Sequence, residues 1–275
     1  MTTVALIGAG GKMGYRLAGK LKDSRFDLRY AEVSEAGRER LKTGLGLDSV
    51  DTATAVDGAA VVVLAVPDTA IGKVAAAIEK DLKPGTMLVI LDAAAPFAGH
   101  MPRRADLTYF VTHPCHPPIF NDETEPAAKR DFFGGVAAKQ HIVSALMQGP
   151  DEAYGLGEEI AKIIWAPVMR SHRITVEQMA MLEPGLSETL CASLLVVMRE
   201  AMDEVVARGV PKQAARDFLL GHMNVLGAVI FEETPGVFSD ACNKAIEFGK
   251  PMLMRDDWKR IFEPRELADS IRRIT

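Results

Sequence analysis

The opening stretch TTVALIGAGGKMGYRLAGKLKD constrains the fold more than any other part of the chain. Apolar, β-branched residues run into Gly8, Gly10, Gly11 and Gly14, and a segment follows in which Leu17 and Leu21 keep helical spacing. A strand that turns this tightly into a helix belongs to a sheet whose strands are joined by helical crossovers. Glycines at such a turn let the backbone approach a pyrophosphate, which then sits on the helix N-terminus. The spacing is not the plain GxGxxG, because the last glycine falls one residue late, and a tight turn without a ligand is the alternative. The context on both sides favours the dinucleotide. The second strand, LRYAEV, ends on Glu32, where a carboxylate accepts both ribose hydroxyls and repels a 2'-phosphate. NAD is therefore expected rather than NADP, with Lys12 and Met13 topping the loop.

The alternation continues. AAVVVLAVPD, TMLVILDA and LTYFVTH read as strands, IGKVAAAIEKDL as a helix, and QHIVSALMQG, DEAYGLGEEIAKII and APVMRSH as strand, helix and strand. An α/β domain with a Rossmann-type parallel sheet is expected over residues 1–172. Pro67 and Asp68 fall at the carboxyl end of AAVVVLAVPD, where open sheets place their ligand crevice. The bland role for Asp68 is a helix cap. From residue 173 to 275 the pattern is helical throughout. It is too apolar for so few helices unless they bury surface against a second copy, so a helical substrate and dimerisation domain is expected there.

Charge and cysteine content narrow the class. A net charge of −5 argues against a nucleic-acid footprint. Cys115, Cys191 and Cys242 are odd in number and far apart, which favours a reducing compartment over a disulfide framework. No basic, apolar and cleavable leader precedes the first strand, and the apolar run LCASLLVVM is too short to cross a bilayer. A cytoplasmic location is expected.

Two motifs carry candidate chemistry. In THPCHPP, His113 ends a strand at the edge where a nicotinamide would lie, and His116 follows it. Each histidine precedes a proline and is pushed toward extended backbone, so both project to one side about 9 Å apart. Two imidazoles near a thiol suit zinc or a similar ion, although a lone histidine is more often a hydrogen-bonded structural residue. Cys115 would point away, and Asn121, Asp122 and Glu123 read as a turn and solvated rim.

In MAMLEPGLSETL, Pro184 fits the first turn of a long helix, which places Glu183 at its cap and under the positive end of the dipole. Glu188 stands about 140° around a regular helix from Glu183, so only a break lets both reach one centre. A capping acid followed by an exposed one is the alternative. His222 and Asn224 read as a satisfied core or interface pair, with lining a cleft as the alternative, and Lys244 and Lys250 are weaker candidates for a substrate carboxylate.

Taken together, GAGGKMG, AVPD, THPCHPP, NDE and MAMLEPGLSET resemble the NAD-dependent D-apionate oxidoisomerase family over essentially the whole chain. Such proteins are also labelled semialdehyde dehydrogenase NAD-binding or phosphogluconate dehydrogenase-like, and the architecture implied is similar to that of ketol-acid reductoisomerase. The resemblance implies oxidation of the 2-hydroxyl of D-apionate and a carbon-skeleton shift giving 3-oxoisoapionate. It further implies a divalent ion, zinc or magnesium-like, held by His113 and Glu183 with His116 as a third possibility, and proton movement by Glu188 or His116. No lysine lies near Glu183, which counts against simple oxidative decarboxylation. A dehydrogenase of another small polyhydroxy acid, without rearrangement, is the alternative.

Overall fold

The computed structural model describes residues 1–275. Its strands are β1 (Thr3–Ile7), β2 (Asp27–Ala31), β3 (Val61–Leu64), β4 (Met87–Ile90), β5 (Thr108–Pro114), β6 (Gln140–Gln148) and β7 (Val168–Arg173). Between and after them run α1 (Lys12–Leu21), α2 (Glu35–Leu45), α3 (Thr52–Val56), α4 (Asp68–Ile78), α5 (Ala94–Phe97), α6 (Pro126–Lys129), α7 (Tyr154–Ile164) and α8 (Val176–Ala180). The last four helices are α9 (Ser193–Ala207), α10 (Lys212–Ile230), α11 (Asp240–Leu253) and α12 (Pro264–Ile274).

The VVVL of β3 has no polar alternation, as suits a strand covered on both faces, and all its residues are buried. On one face Val4, Leu6, Val61, Val63, Val89 and Phe110 pack with Leu17 and Leu21 of α1 and Ile160 and Ile164 of α7. The residues of the opposite register, such as Val62, Leu64, Leu88 and Ile90, are buried as well. Strand order in the seven-stranded sheet is β2-β1-β3-β4-β5-β6-β7. The chain reverses its direction of travel across the sheet between β1 and β3, which sets the ligand crevice at their carboxyl ends.

The sheet is not wholly parallel, as the sequence reading had it. β1 to β5 are parallel, but β6 runs antiparallel to β5, and β7 follows β6. The chain passes from β5 to β6 through a proline-rich loop and short α6 rather than a full crossover helix, so it can enter β6 from the edge where β5 ends.

Residues Met1–Glu183 and Ala268–Thr275 form one compact unit, and Pro184–Leu267 another. The sequence reading divided the chain at 172/173. The first unit extends further because Val176, Met179 and Ala180 of α8 are buried in it. The expected break at Pro184 is also absent. Helix is continuous from Val176 to Ala207, 32 residues, and takes π geometry through Met181–Ala192 with Pro184 inside it. The wider π turn gives the Pro184 ring room from the carbonyl four residues back, whose clash with a proline ring kinks or breaks an α-helix. By length and hydropathy alone this helix would suffice to span a bilayer, unlike the nine-residue run first considered. In the second unit, α9 and α11 bury no residue and α10 buries only Ala215.

Candidate active site

The glycine loop is built as its sequence requires. Gly8 has φ +75, and a Cβ there would stand 2.5 Å from the Ala65 carbonyl oxygen, so the ends of β1 and β3 meet only at glycine. A Cβ at Gly14 would overlap the Gly8 carbonyl, which fixes how closely α1 approaches β1. Gly10 donates its N–H to Glu32 Oε2 at 2.8 Å. Ser34 donates to Glu32 Oε1 from its N–H at 2.8 Å and its hydroxyl at 2.9 Å. Burial alone would raise the Glu32 pKa, but the bonds from Ser34, Gly10 and Val33 outweigh it and hold the carboxyl below its ordinary range. Oε1 already takes both Ser34 donors, and Oε2 keeps a lone pair for a ribose hydroxyl. Beside it, Ile7, Gly8, Ala31, Val33, Thr52, Val66 and Val74 line a largely apolar cleft of about 370 Å³ suited to a flat ring. Lys12 and Met13 are exposed at the start of α1, and Pro67 and Asp68 at the start of α4. Pro67, not Asp68, occupies the cap position of α4, and no side chain bonds there.

Further along the same edge, His113 lies between two carboxylates. Its Nε2 is 3.9 Å from Asp92 Oδ2 and its Nδ1 3.7 Å from Glu183 Oε2. Ligand atoms of the three residues all lie within 4.8 Å of one another, and each side chain is largely sheltered from solvent. His113 Nδ1 is 2.8 Å from the Pro114 carbonyl, which can only accept, so Nδ1 carries a proton and donates it. A neutral His113 then turns the Nε2 lone pair toward an Asp92 oxygen. Two acceptors face each other across a gap that suits a cation with bonds near 2 Å. Asp68 belongs to the same electrostatic group. Although Asp68 keeps contact with solvent, partial loss of hydration and then the Asp92 charge raise its pKa, His113 opposes, and Glu183 adds to the rise. Such a recess repels an anionic acid unless a cation neutralises it. Asp92, His113 and Glu183 are therefore a group that could hold a divalent metal.

Asp92 was missed by the sequence reading. It closes TMLVILDA at the carboxyl end of β4, and nothing in the sequence tells that β4 lies beside β5. Glu183 joins the site from within the π segment, not from a helix cap as expected. His116 is also not extended: its φ is 61, in the left-handed region. This turns its ring edge-on to His113, with centroids 5.9 Å apart, and brings Nδ1 2.9 Å from the Phe133 carbonyl. It stands next to the Asp92–His113–Glu183 cluster but is not one of its members. Cys115 is exposed and does not join it. Asn121 and Glu123 bond backbone groups, as a turn and rim should. Glu188, Lys244 and Lys250 are exposed in the second unit, outside the cluster. His222 stacks on Phe218 at 4.0 Å, also in that unit.

Residues 121–275 match the family model described as phosphogluconate dehydrogenase (decarboxylating) C-term, and residues 3–96 one described as NADP oxidoreductase coenzyme F420-dependent. A protein of Rhizobium rhizogenes named D-apionate oxidoisomerase is 77% identical over 100% of both chains. The chain belongs to the D-apionate oxidoisomerase family. Members at 70% identity in Cupriavidus necator and 44% in Blautia hydrogenotrophica match over at least 96% of this chain and 93% of their own. A solved semialdehyde dehydrogenase NAD-binding protein from Cupriavidus necator, in complex with calcium and NAD, superposes with a TM-score of 0.99 at 69% identity over 100% of both chains. An NADH-preferring ketol-acid reductoisomerase from an uncultured archaeon shares the fold, with a TM-score of 0.68 at 17% identity over 99% of this chain and 82% of its own. For the oxidoisomerase family, this matches the architecture expected from the sequence.

Proposed function

We propose that this chain is an NAD-dependent D-apionate oxidoisomerase whose chemistry takes place at Asp92, His113 and Glu183. The observation that carries the reading is this cluster of two carboxylates and an imidazole, set along the sheet edge from the glycine loop. Support comes from the 77% identical relative of that name and from the 69% identical structure containing calcium and NAD. Bound at Gly8, Gly10, Gly11, Gly14 and Glu32, NAD supplies the acceptor for the hydride on C2 of the substrate. A divalent ion held by His113, Asp92 and Glu183 supplies Lewis acidity toward the 2-oxo and tertiary alcohol oxygens.

The protein's own groups do the rest. The Phe133 carbonyl fixes a proton on His116 Nδ1, so Nε2 keeps its lone pair and takes the proton of the 2-hydroxyl as C2 is oxidised. Nε2 then stands ready to exchange a proton with the tertiary alcohol at C3. As that O–H is lost and a carbonyl forms at C3, a hydroxymethyl group moves with its electron pair to C2, and the former carbonyl oxygen at C2 gains a proton. Asp68 faces the same edge, its pKa raised by loss of hydration and then by the Asp92 charge.

Carbon-13 NMR of the product from D-apionate and NAD tests the reading. A rearranged skeleton, 3-oxoisoapionate, is expected. An unrearranged 2-oxo acid would assign the chain to simple dehydrogenases of polyhydroxy acids. The exposed apolar side chains of α9 and α10 support a homodimer, and the unpaired cysteines a cytoplasmic setting.

A further inference from the structure

Phe133 is 62% exposed, yet its ring is not idle. Lys12 Nζ lies 5.5 Å and Arg16 Cζ 5.7 Å from the ring centroid, and the His116 ring meets it edge-on at 6.3 Å. The backbone that presents the ring is tied down. Asp131 accepts the N–H groups of Val136, Ala137 and Ala138 at 3.0, 2.8 and 3.1 Å. Gly134 and Gly135 turn the loop at φ 72 and 80. Lys12 and Arg16 are one turn apart on the face of α1 that follows the glycine loop.

From this we propose that Phe133 is a positioning residue for the dinucleotide. Its ring holds Lys12 and Arg16 ready for the phosphates, while its carbonyl orients His116. One exposed residue thus ties the phosphate end of the site to the proton-moving end. The proposal rests on the NAD reading above. Lysine and arginine give up rotamer freedom when they grip a phosphate. A ring that orders them beforehand reduces that loss, and the gain appears in cofactor affinity. The cationic groups can each face phosphate on the side away from the ring, so the ring need not be displaced.

The test is NAD binding by calorimetry on the full chain, for wild type, Phe133→Leu and Phe133→Trp, each also in a Lys12→Met/Arg16→Met background. Phe133→Leu keeps the carbonyl to His116 and removes the π face, so its Kd for NAD should rise roughly three- to tenfold. Phe133→Trp should stay within about twofold of wild type, because indole is the stronger cation acceptor. In the background lacking both cations, the effect of Phe133→Leu should vanish. In turnover the loss should fall on KM for NAD rather than on kcat.

The proposal is overturned by an unchanged Kd in Phe133→Leu. It is equally overturned by an equal loss in Phe133→Trp, or by a full Phe133→Leu effect that persists without Lys12 and Arg16. A general disturbance of the loop would give one of these last two results, so misfolding cannot pass as support. Wild-type protein that fails to bind NAD would remove the cofactor reading as well, whereas binding insensitive to Phe133 would remove this inference alone.

Discussion

At Glu32, burial works against ionisation and the donors at Ser34, Gly10 and Val33 more than offset it, so the folded pKa lies below the ordinary value. A depressed carboxylate stabilises the fold fully above its unfolded pKa of about 4.3 and loses that contribution as pH falls through the folded value. Urea unfolding of wild type and Glu32→Gln from pH 7 down to pH 3 should therefore give curves that converge on the acid side. Parallel curves would mean that the carboxylate adds nothing to stability. The same substitution removes the charge facing a 2'-phosphate, and the ratio of kcat/KM for NAD over NADP should fall by about tenfold. At the other end of the site, Asp92→Asn keeps the size of the side chain but removes its charge. Turnover at limiting divalent ion should drop at least about tenfold and recover in part as the ion is raised. Identical metal titrations for the two proteins would take Asp92 out of the site.

The residues of the π segment mark where sequence reading stops. Local patterns were sufficient for the glycine loop and for every strand of the sheet, because a turn of glycines and short β-branched runs are set by neighbours in the chain. They placed His113 too, near the end of such a run in β5. The antiparallel step at β6 was not legible, since strand direction depends on where a loop leads and not on the strand's own residues. Neither was Asp92, whose role comes from lateral pairing of β4 with β5. At Pro184 the rule that proline interrupts a helix gave a break, whereas the helix widened instead. Thr189 Oγ1 donates to the Pro184 carbonyl at 2.6 Å across the irregular turn. Pro184→Ala restores an N–H and lets the turn tighten toward α geometry, which rotates Glu183 away from His113. Activity should fall about tenfold or more at saturating metal while the melting temperature moves little. A variant with wild-type turnover would show that π geometry is not what aims Glu183.

At the scale of the whole molecule, the second unit poses a problem of solvation. Leu194, Leu195, Val196, Val197 and Met198 run consecutively along α9 and all are at least 36% exposed, and Phe218, Leu220, Val225, Leu226 and Ile230 of α10 are exposed too. Five consecutive residues circle a helix completely, so α9 presents apolar surface in every direction instead of the single stripe that packs on one neighbour. A patch of this extent on a lone chain is what the homodimer proposed above would cover. A second copy of the chain is the occupant that needs no further assumption, because it brings the same uncovered helices to a self-complementary face. Two measurements follow. Sedimentation should give twice the 29.8 kDa of one chain, and the melting temperature should rise with protein concentration, since folded subunits are drawn off into dimers. Val196→Glu would place a charge on the face that the proposed dimer buries. It should convert the protein to monomer and lower the melting temperature, yet leave the Asp92–His113–Glu183 cluster of the first unit able to bind a divalent ion. If Val196→Glu sediments as wild type does, α9 is not the surface through which copies meet.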